Sequence, residues 1–484
     1  MTLHDQRASI EIGADTHARG DAREAADSTF RVLILGDFGG TGAQRQPLAQ
    51  RAIHRIDRDG PDSAIAAIAP TVAVTLDGEA TPEAIVFREL DDFHPDRLLV
   101  NVPTLARLRE LRATIESRPD AVRTESPTGS SSAAGDTRSL LDRILEAEPG
   151  ETPSPKPPPT VTAGDDLSEF VRRAVRPHVA REVDPQQRAL VAQVDGVLAA
   201  TLRVLLHDPA FQALESLWRS TEVFLRRCDA GESTVIGLLD VTRVELAAFS
   251  TETPESLALV ARVAAAAEGG HWSLVIAAYD FCPSDNALLA AMASRADAMR
   301  TPWLAAADSR LVGALTFADN GDADDWDQSS PPGWDDLRAV PAARYLGLAL
   351  PRFLVRLPYG PENPVDSMSF DELTPGARRH ESFLWGNGAF LCALVAATPV
   401  ERGAAAPSHG TIAGLPLHLD SSTGATEALP CAETLLSQRA AMHVLGRGLT
   451  PLVGERNGDV IRIPRLQSIA HPPIALPIHP AWTR

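Results

Sequence analysis

The segment Asp208-Pro209-Ala210-Phe211-Gln212-Ala213-Leu214-Glu215-Ser216-Leu217-Trp218-Arg219 constrains this chain more than any other stretch. Asp208 reads as an N-cap, because its carboxylate can accept from the free amides of a first helical turn. Pro209 suits the first helical position, where no amide hydrogen is needed. Phe211, Leu214 and Trp218 then fall at i, i+3 and i+7 on one face, with Glu215 and Arg219 beside them. An apolar face of this kind turns inward, so Phe211 and Trp218 are expected to fill a core.

The chain has 484 residues, 44% of them hydrophobic, and so holds more than one domain on a prior of ~150 residues each. Its net charge of −19 argues against a nucleic-acid partner, which needs a basic surface, and against docking to anionic lipid. Of its 45 basic residues, Lys156 is the single lysine, in Pro155-Lys156-Pro157-Pro158-Pro159, an extended polyproline tether. The folded regions therefore offer no lysine for a Walker A loop, a kinase strand or a Schiff base. Cys228, Cys282, Cys392 and Cys431 form no CxxC pair and read as reduced thiols. The first residues lack the apolar stretch of a signal peptide, and no uncharged apolar run reaches the ~20 residues that span a bilayer. The expected location is the cytoplasm, without membrane insertion and without a cofactor or metal.

Residues 1–28 are mostly polar and read as a flexible arm, apart from the alternation Ala8-Ser9-Ile10-Glu11-Ile12, a short strand candidate. Phe30-Arg31-Val32-Leu33-Ile34-Leu35 is a buried strand delivered into the glycine loop Gly36-Asp37-Phe38-Gly39-Gly40. Strands are expected at Thr71–Leu76 and Ala84–Phe87, then a helix over Thr104–Ile115. These make a small mixed α/β unit over 29–116. Residues 117–165 form a Ser- and Pro-rich linker with a helical island at 139–147. A second unit over 166–484 has helices at Leu167–Val175 and Gln186–Leu206, the Phe211 helix, and strands at Ser233–Leu239 and Trp272–Tyr279. A further helix over Glu255–Ala267 separates those strands. The alternation gives a mixed α/β (α+β) class in which helices cover mixed sheets.

Motifs that carry chemistry elsewhere reduce to structure here. Asp37-Phe38-Gly39 copies a kinase tripeptide, but the strand lysine, the glycine-rich loop and the His-Arg-Asp loop are missing. It reads as a turn. Gly446-Arg447-Gly448 lacks the third glycine of a dinucleotide fingerprint. Gly386-Asn387-Gly388 is a turn. His94-Pro95-Asp96, after Asp91-Asp92-Phe93, offers a histidine near three carboxylates, and capping is the ordinary account of it. His207-Asp208 is no dyad, since Asp208 is already used as a cap. The competing class is a hydrolase with a pocket of dispersed His and Asp residues in the second unit.

Residues 8–116 resemble the small sheath subunit of type VI secretion systems. The resemblance rests on Phe30 through Gly40, on Ile56-Asp57-Arg58-Asp59, on Ala69-Pro70, and on Phe87-Arg88-Glu89-Leu90-Asp91-Asp92-Phe93-His94-Pro95-Asp96. Residues 139–470 resemble the large sheath subunit. Besides Leu205 through Arg219, the carrying residues are Pro351-Arg352-Phe353-Leu354-Val355-Arg356-Leu357-Pro358-Tyr359-Gly360, Phe383-Leu384-Trp385-Gly386-Asn387, Gly414-Leu415-Pro416 and Leu449-Thr450-Pro451-Leu452. Order and spacing match in both halves, as in a fusion of the two subunits.

The resemblance implies a non-enzymatic sheath protein that assembles around an inner tube and contracts to drive it outward. The implied partners are other sheath protomers, the inner tube protein, baseplate components and an AAA+ unfoldase. Gly36, Asp37, Phe38, Phe93, Pro95, Phe211, Trp218, Arg219, Arg356, Pro358, Tyr359, Gly360, Trp385 and Asn387 are implied structural or assembly residues. Arg356 and Tyr359 are expected to tie the Pro-Tyr-Gly loop to neighbouring elements through hydrogen bonds. The 139–147 island presents Leu140, Leu141, Ile144 and Leu145 on one face behind the capping pair Ser139 and Asp142, and resembles the helix that the unfoldase recognises. Packing on its own unit is the alternative for that helix. The resemblance also implies that Ser9–Ile12 adds a strand to an adjacent protomer, with a local edge strand as the alternative. Large subunits of this family continue beyond the equivalent of Leu466-Gln467-Ser468, and small subunits carry a C-terminal helical extension. Neither is read in this sequence, so an accessory that co-assembles with full-length subunits is the variant reading.

Overall fold

The computed structural model describes residues 10–13, 29–57, 60–76, 81–117, 185–228, 234–251, 253–264, 271–318, 322–373, 379–400, 404–420 and 427–479. Two compact units divide the chain. One comprises Met1–Arg109 with Gly196–Arg484, the other Glu110–Asp195. The helices expected at 139–147, with Leu140, Leu141, Ile144 and Leu145, and at 167–175 lie outside the described residues. In the smaller unit, Arg112 Nε donates to Asp195 Oδ1 at 2.6 Å and Gln187 Nε2 to the carbonyl of Ile115 at 2.5 Å.

The larger unit is built on a seven-stranded sheet. Its spatial order is Thr450–Pro451, Leu346–Leu350, Trp303–Ala307, Leu274–Phe281, Phe30–Gly36, Thr234–Asp240 and His54–Ile56. All neighbours are parallel except the His54–Ile56 edge, which runs antiparallel to Thr234–Asp240. Phe30 pairs with Thr234, and Val32 with Leu274. Parallel strands covered on both faces need apolar residues at every position, and Val32, Leu33, Ile34 and Leu35 are all 0% exposed.

This placement revises the expectation of successive units at 29–116 and 166–484. The Phe30 strand is inserted between two strands from the far side of the linker, so both regions share one sheet. The reason is burial: a strand apolar on both faces cannot stand at the edge of a small sheet. Leu33, Leu35, Val275 and Ala277 face a core shared with Leu259, Leu289 and Met292. Against the strands Leu274–Phe281, Trp303–Ala307 and Leu346–Leu350 lies the helix Ala389–Ala396, every residue of which is buried. The helix Pro209–Arg227 packs on it in turn.

The other expected elements shift by a few residues. Thr71–Val74 and Glu83–Val86 form an antiparallel hairpin, and helices run over Pro103–Ser117, Pro185–Leu206 and Pro254–Ala264. Pro185–Leu206 is long and apolar enough to cross a membrane by length and composition. It carries Arg188, Asp195 and Arg203, and buries Leu198, Leu202, Leu205 and Leu206.

A smaller antiparallel sheet has the order Ile10–Gly13, His409–Ile412, Ile461–Ile463, Val453–Gly454. In the single chain the N-terminal strand pairs as the local-edge alternative has it. Ile10 pairs with Ile412 and Gly13 with His409 of the same chain, so the strand is a local edge strand. Its ladder is satisfied in cis.

Candidate functional site

Helix Pro209–Arg227 organises the residues that the motifs singled out. Asp208 Oδ1 accepts from the amides of Ala210 and Phe211 at 2.9 and 3.0 Å, the cap expected from the sequence. Phe211 and Trp218 are both fully buried. Phe211 meets the edges of Phe87 and Phe93, which stack with centroids 4.0 Å apart. Trp218 meets Phe38 edge-on at 4.8 Å and donates its indole N–H to the Phe38 carbonyl at 3.2 Å.

The Gly36–Gly40 loop is clamped from the next strand. Asp240 Oδ1 accepts from the Gly39 amide at 2.9 Å, and Asp240 Oδ2 from Arg45 Nε at 2.8 Å. Arg45 also reaches Asp37, whose Oδ1 takes the Gly40 amide at 3.1 Å. Burial raises the Asp37 carboxyl, with Arg45 pulling against it and Asp240 reinforcing the rise. Gly40 has φ +74°, and a Cβ there would lie 2.6 Å from the Thr71 carbonyl oxygen. A glycine is required.

Below Trp218 lies a buried charge cluster. Glu215, fully buried, takes Arg219 Nε at 2.6 Å one turn along the helix. Arg356 spans two carboxylates: its Nε donates to Glu215 at 2.9 Å and its Nη1 to Glu372 at 2.8 Å. The Tyr359 amide adds a bond to Glu372 at 2.8 Å, and the Tyr359 ring lies 4.3 Å from the Arg356 guanidinium carbon. Arg219 Nη2 reaches the Tyr359 hydroxyl at 3.4 Å. Burial alone would raise the Glu372 carboxyl, but Arg356, His207 and the Tyr359 amide override it and hold it at about 2. Burial pushes the Tyr359 hydroxyl up to about 12 despite both arginines. Two carboxylates thus face two arginines, and the charges of the four groups balance.

His94 completes the arrangement. It caps helix Pro95–Asn101, its Nδ1 accepting from the Asp96 amide at 3.2 Å, with buried Pro95 at the first position. Its ring stands edge-on to Tyr359 at 5.1 Å. Burial lowers the His94 pKa, Asp96 opposing and Arg219 adding to the fall, which favours the neutral acceptor form the cap requires. Asp96 in turn accepts the amides of Asp366 and Ser367 at 3.1 and 2.8 Å.

The remaining motif residues make local packing and hydrogen-bond contacts. Pro358 and Gly360 are buried, and Gly360 exchanges backbone hydrogen bonds with Asn363. Trp385 donates to the His380 carbonyl at 2.8 Å and receives the Ser216 hydroxyl on its own carbonyl at 2.6 Å. Asn387 donates to the Tyr279 carbonyl at 3.2 Å and accepts the Ala389 amide at 2.9 Å just ahead of helix Ala389–Ala396. Glu372, Asp240 and Glu433 were missed from the sequence. Glu215 carried a signal that could have been read further: an acid on the apolar face, one turn before an arginine, marks a buried ion pair.

The motif residues thus meet in packed, hydrogen-bonded contacts around one helix. The family described as EvpB/VC_A0108, tail sheath N-terminal domain, matches residues 188–470. The chain belongs to this VipB sheath family. Residues 5–123 match a second family, described as Type VI secretion system, VipA, VC_A0107 or Hcp2. The expected fusion of small and large sheath subunits is therefore present, with the large-subunit match beginning at 188 rather than 139. The type VI secretion system sheath protein TssC1 of Pseudomonas aeruginosa is 27% identical over 306 residues, 59% of this chain. The chain spans 61% of the length of that curated relative. Glu215, Arg219, Arg356 and Tyr359 thus lie in the VipB region, and His94 and Phe38 in the VipA region. The protein is a sheath component in which the two regions share a core.

Proposed function

We propose that this sheath component is a non-catalytic protomer that assembles around an inner tube and drives it outward by contraction, in the cytoplasm. Its partners on this reading are other sheath protomers, the inner tube protein and baseplate components. One observation carries the proposal: the VipA-region strand Phe30–Gly36 lies between VipB-region strands at full register. One chain thus supplies both subunit types already docked at fixed ratio, which raises the effective concentration of one for the other. A heterologous contact between such protomers that does not close into a ring generates a helical tube.

Negative-stain microscopy of the purified protein, alone and with full-length sheath subunits, tests this. Tubes formed alone support a self-sufficient protomer, and tubes formed only with the subunits support the accessory variant. The absence of tubes, of rings and of partner binding together would overturn the sheath role. A turnover abolished by one histidine substitution would favour a hydrolase instead. In the cavity that His207 and His380 line, His380 is engaged by Glu433 at 3.0 Å and the Ser216 hydroxyl by Trp385, so no nucleophile–base pair forms among the described residues. For the 139–147 island we propose unfoldase recognition. A peptide of residues 136–149 should bind the unfoldase's N-terminal domain, and Leu141→Asp should abolish it.

A further inference from the structure

A cavity of about 490 Å³ opens beside helix Pro209–Arg227, at the carboxyl ends of the strands Leu274–Phe281 and Leu346–Leu350. Crevices in this position are where parallel α/β sheets bind ligands. The strand Leu274–Phe281 is distorted there: its pairing with Trp303–Ala307 slips between Ile276 and Asp280. Bulges of this kind re-aim side chains beside functional sites. The displaced Tyr279 carbonyl is held by Asn387, and Asp280 is delivered to the cavity wall.

The polar groups around the cavity divide sharply. Arg352 and His380 both bind Glu433, through Arg352 Nη2 at 2.6 Å and His380 Nε2 at 3.0 Å. His207 Nε2 lies 3.6 Å from Glu372. Each cationic group at the wall therefore already faces a carboxylate. Asp280 is the reverse case: among the described residues it has neither a hydrogen bond nor a cation within 4.0 Å. Asp280 is itself an exposed residue of its strand, so its carboxylate is open to a ligand arriving from solvent. The Ser220 hydroxyl, 0% exposed and also lining the cavity, has no hydrogen-bond partner among the described residues. The wall also carries two aromatic residues, Phe383 and Trp385, whose rings lie 5.6 Å apart.

We propose that this cavity binds a guanidinium group on an aliphatic stem, its N–H fork on Asp280 and its plane against the aromatic wall. A carboxylate without a cation calls for a donor of opposite charge, and a planar guanidinium both forks onto carboxylates and stacks on rings. The group can arrive as a free alkylguanidine or as an arginine side chain presented by a partner.

The test is calorimetric titration of the full chain with agmatine, with an acetylated Gly-Arg-Gly peptide amide, and with the uncharged citrulline counterpart of that peptide. Saturable binding of at least one guanidine ligand is expected, weakened about tenfold or more in Asp280→Asn and absent for the citrulline peptide. Tighter binding of the peptide than of agmatine identifies a partner's arginine as the source, and equal binding identifies the free cation. Ala213→Phe, at an exposed position of the cavity wall, adds bulk to the space while leaving the Asp280 carboxylate in place, and should also block binding. Thermal melts of both variants without ligand establish that they fold. No saturation up to about 10 mM, or equal affinity in Asp280→Asn, overturns the proposal.

Discussion

The indole N–H of Trp218 is bonded to the backbone carbonyl of Phe38, a residue 180 positions earlier, at 3.2 Å in the buried core. That contact joins the VipA-region glycine loop to helix Pro209–Arg227 of the VipB region. It makes Trp218 both a volume and a bond.

Trp218→Ala should therefore cost more than its cavity. Removing a buried aromatic costs roughly 3–5 kcal/mol, and the Phe38 carbonyl is left without its donor. Trp218→Phe keeps most of the volume and should lose less. Urea unfolding of both variants measures the difference. A Trp218→Ala protein that melts like wild type and fails only to assemble would move Trp218 from core to interface.

Arg356 stands between Glu215 and Glu372, so Arg356→Met leaves one arginine for two buried carboxylates. A broken buried pair costs about 3–5 kcal/mol. Adding Glu372→Gln removes one of the two charges and should recover part of the loss. A double-mutant cycle on denaturation midpoints checks this. Strict additivity of the two substitutions would mean that the residues do not act as a unit.

What could be read from the sequence was local. The Asp208 cap, the inward face of Phe211 and Trp218, and the all-apolar run from Phe30 each depend on neighbours within a turn or a strand. The cluster was half legible: Glu215 and Arg219 share a helix, while Arg356 lies 141 positions from Glu215. Glu372 sits in a loop with no periodicity to mark it, and Asp240 at a strand end looks like any turn acid. The Phe30 strand was recognised, but its neighbours were not. An apolar run states that both faces are covered and does not name the strands beside it.

Acid should weaken the protein in a defined window. The Glu372 and Glu433 carboxyls are held at about 2 against a usual value of 4.5: burial pushes both up, and their arginine and histidine partners prevail. A depressed carboxylate contributes stability that is complete above its unfolded value and is lost as pH falls through the folded value. The unfolding free energy should hold steady from neutrality to about pH 5 and then fall by a few kcal/mol toward pH 2, with the denaturation midpoint following it. A midpoint unchanged between pH 5 and pH 3 would show that these ion pairs contribute nothing net. Arg356→Met should shrink the Glu372 share of the slope.

Two glycines should respond oppositely to alanine. At Gly40 the backbone is left-handed and the new Cβ would strike the Thr71 carbonyl oxygen, so Gly40→Ala should cost more than about 1 kcal/mol. Gly196 sits inside helix Pro185–Leu206 with nothing within 4 Å of a new Cβ. Gly196→Ala should stabilise by roughly 0.5–1 kcal/mol through helix propensity. Paired thermal melts decide both, and the same sign for the two would contradict the assignment.

The N-terminal strand carries the last expectation. Ile10–Gly13 covers one side of His409–Ile412, whose other side is taken by Ile461–Ile463. Deleting residues 1–20 uncovers a row of backbone donors and acceptors on a strand whose own ladder to Ile461–Ile463 persists. Such an open edge is a template for another chain. The truncated protein should stay folded, with a modest loss in melting temperature, and should self-associate more than the full chain in sedimentation velocity. A synthetic peptide of residues 8–14 should reverse that association by reoccupying the edge. Weaker association after truncation would mean that the arm pairs with a neighbouring protomer in solution, and the cis ladder would then describe the isolated chain alone.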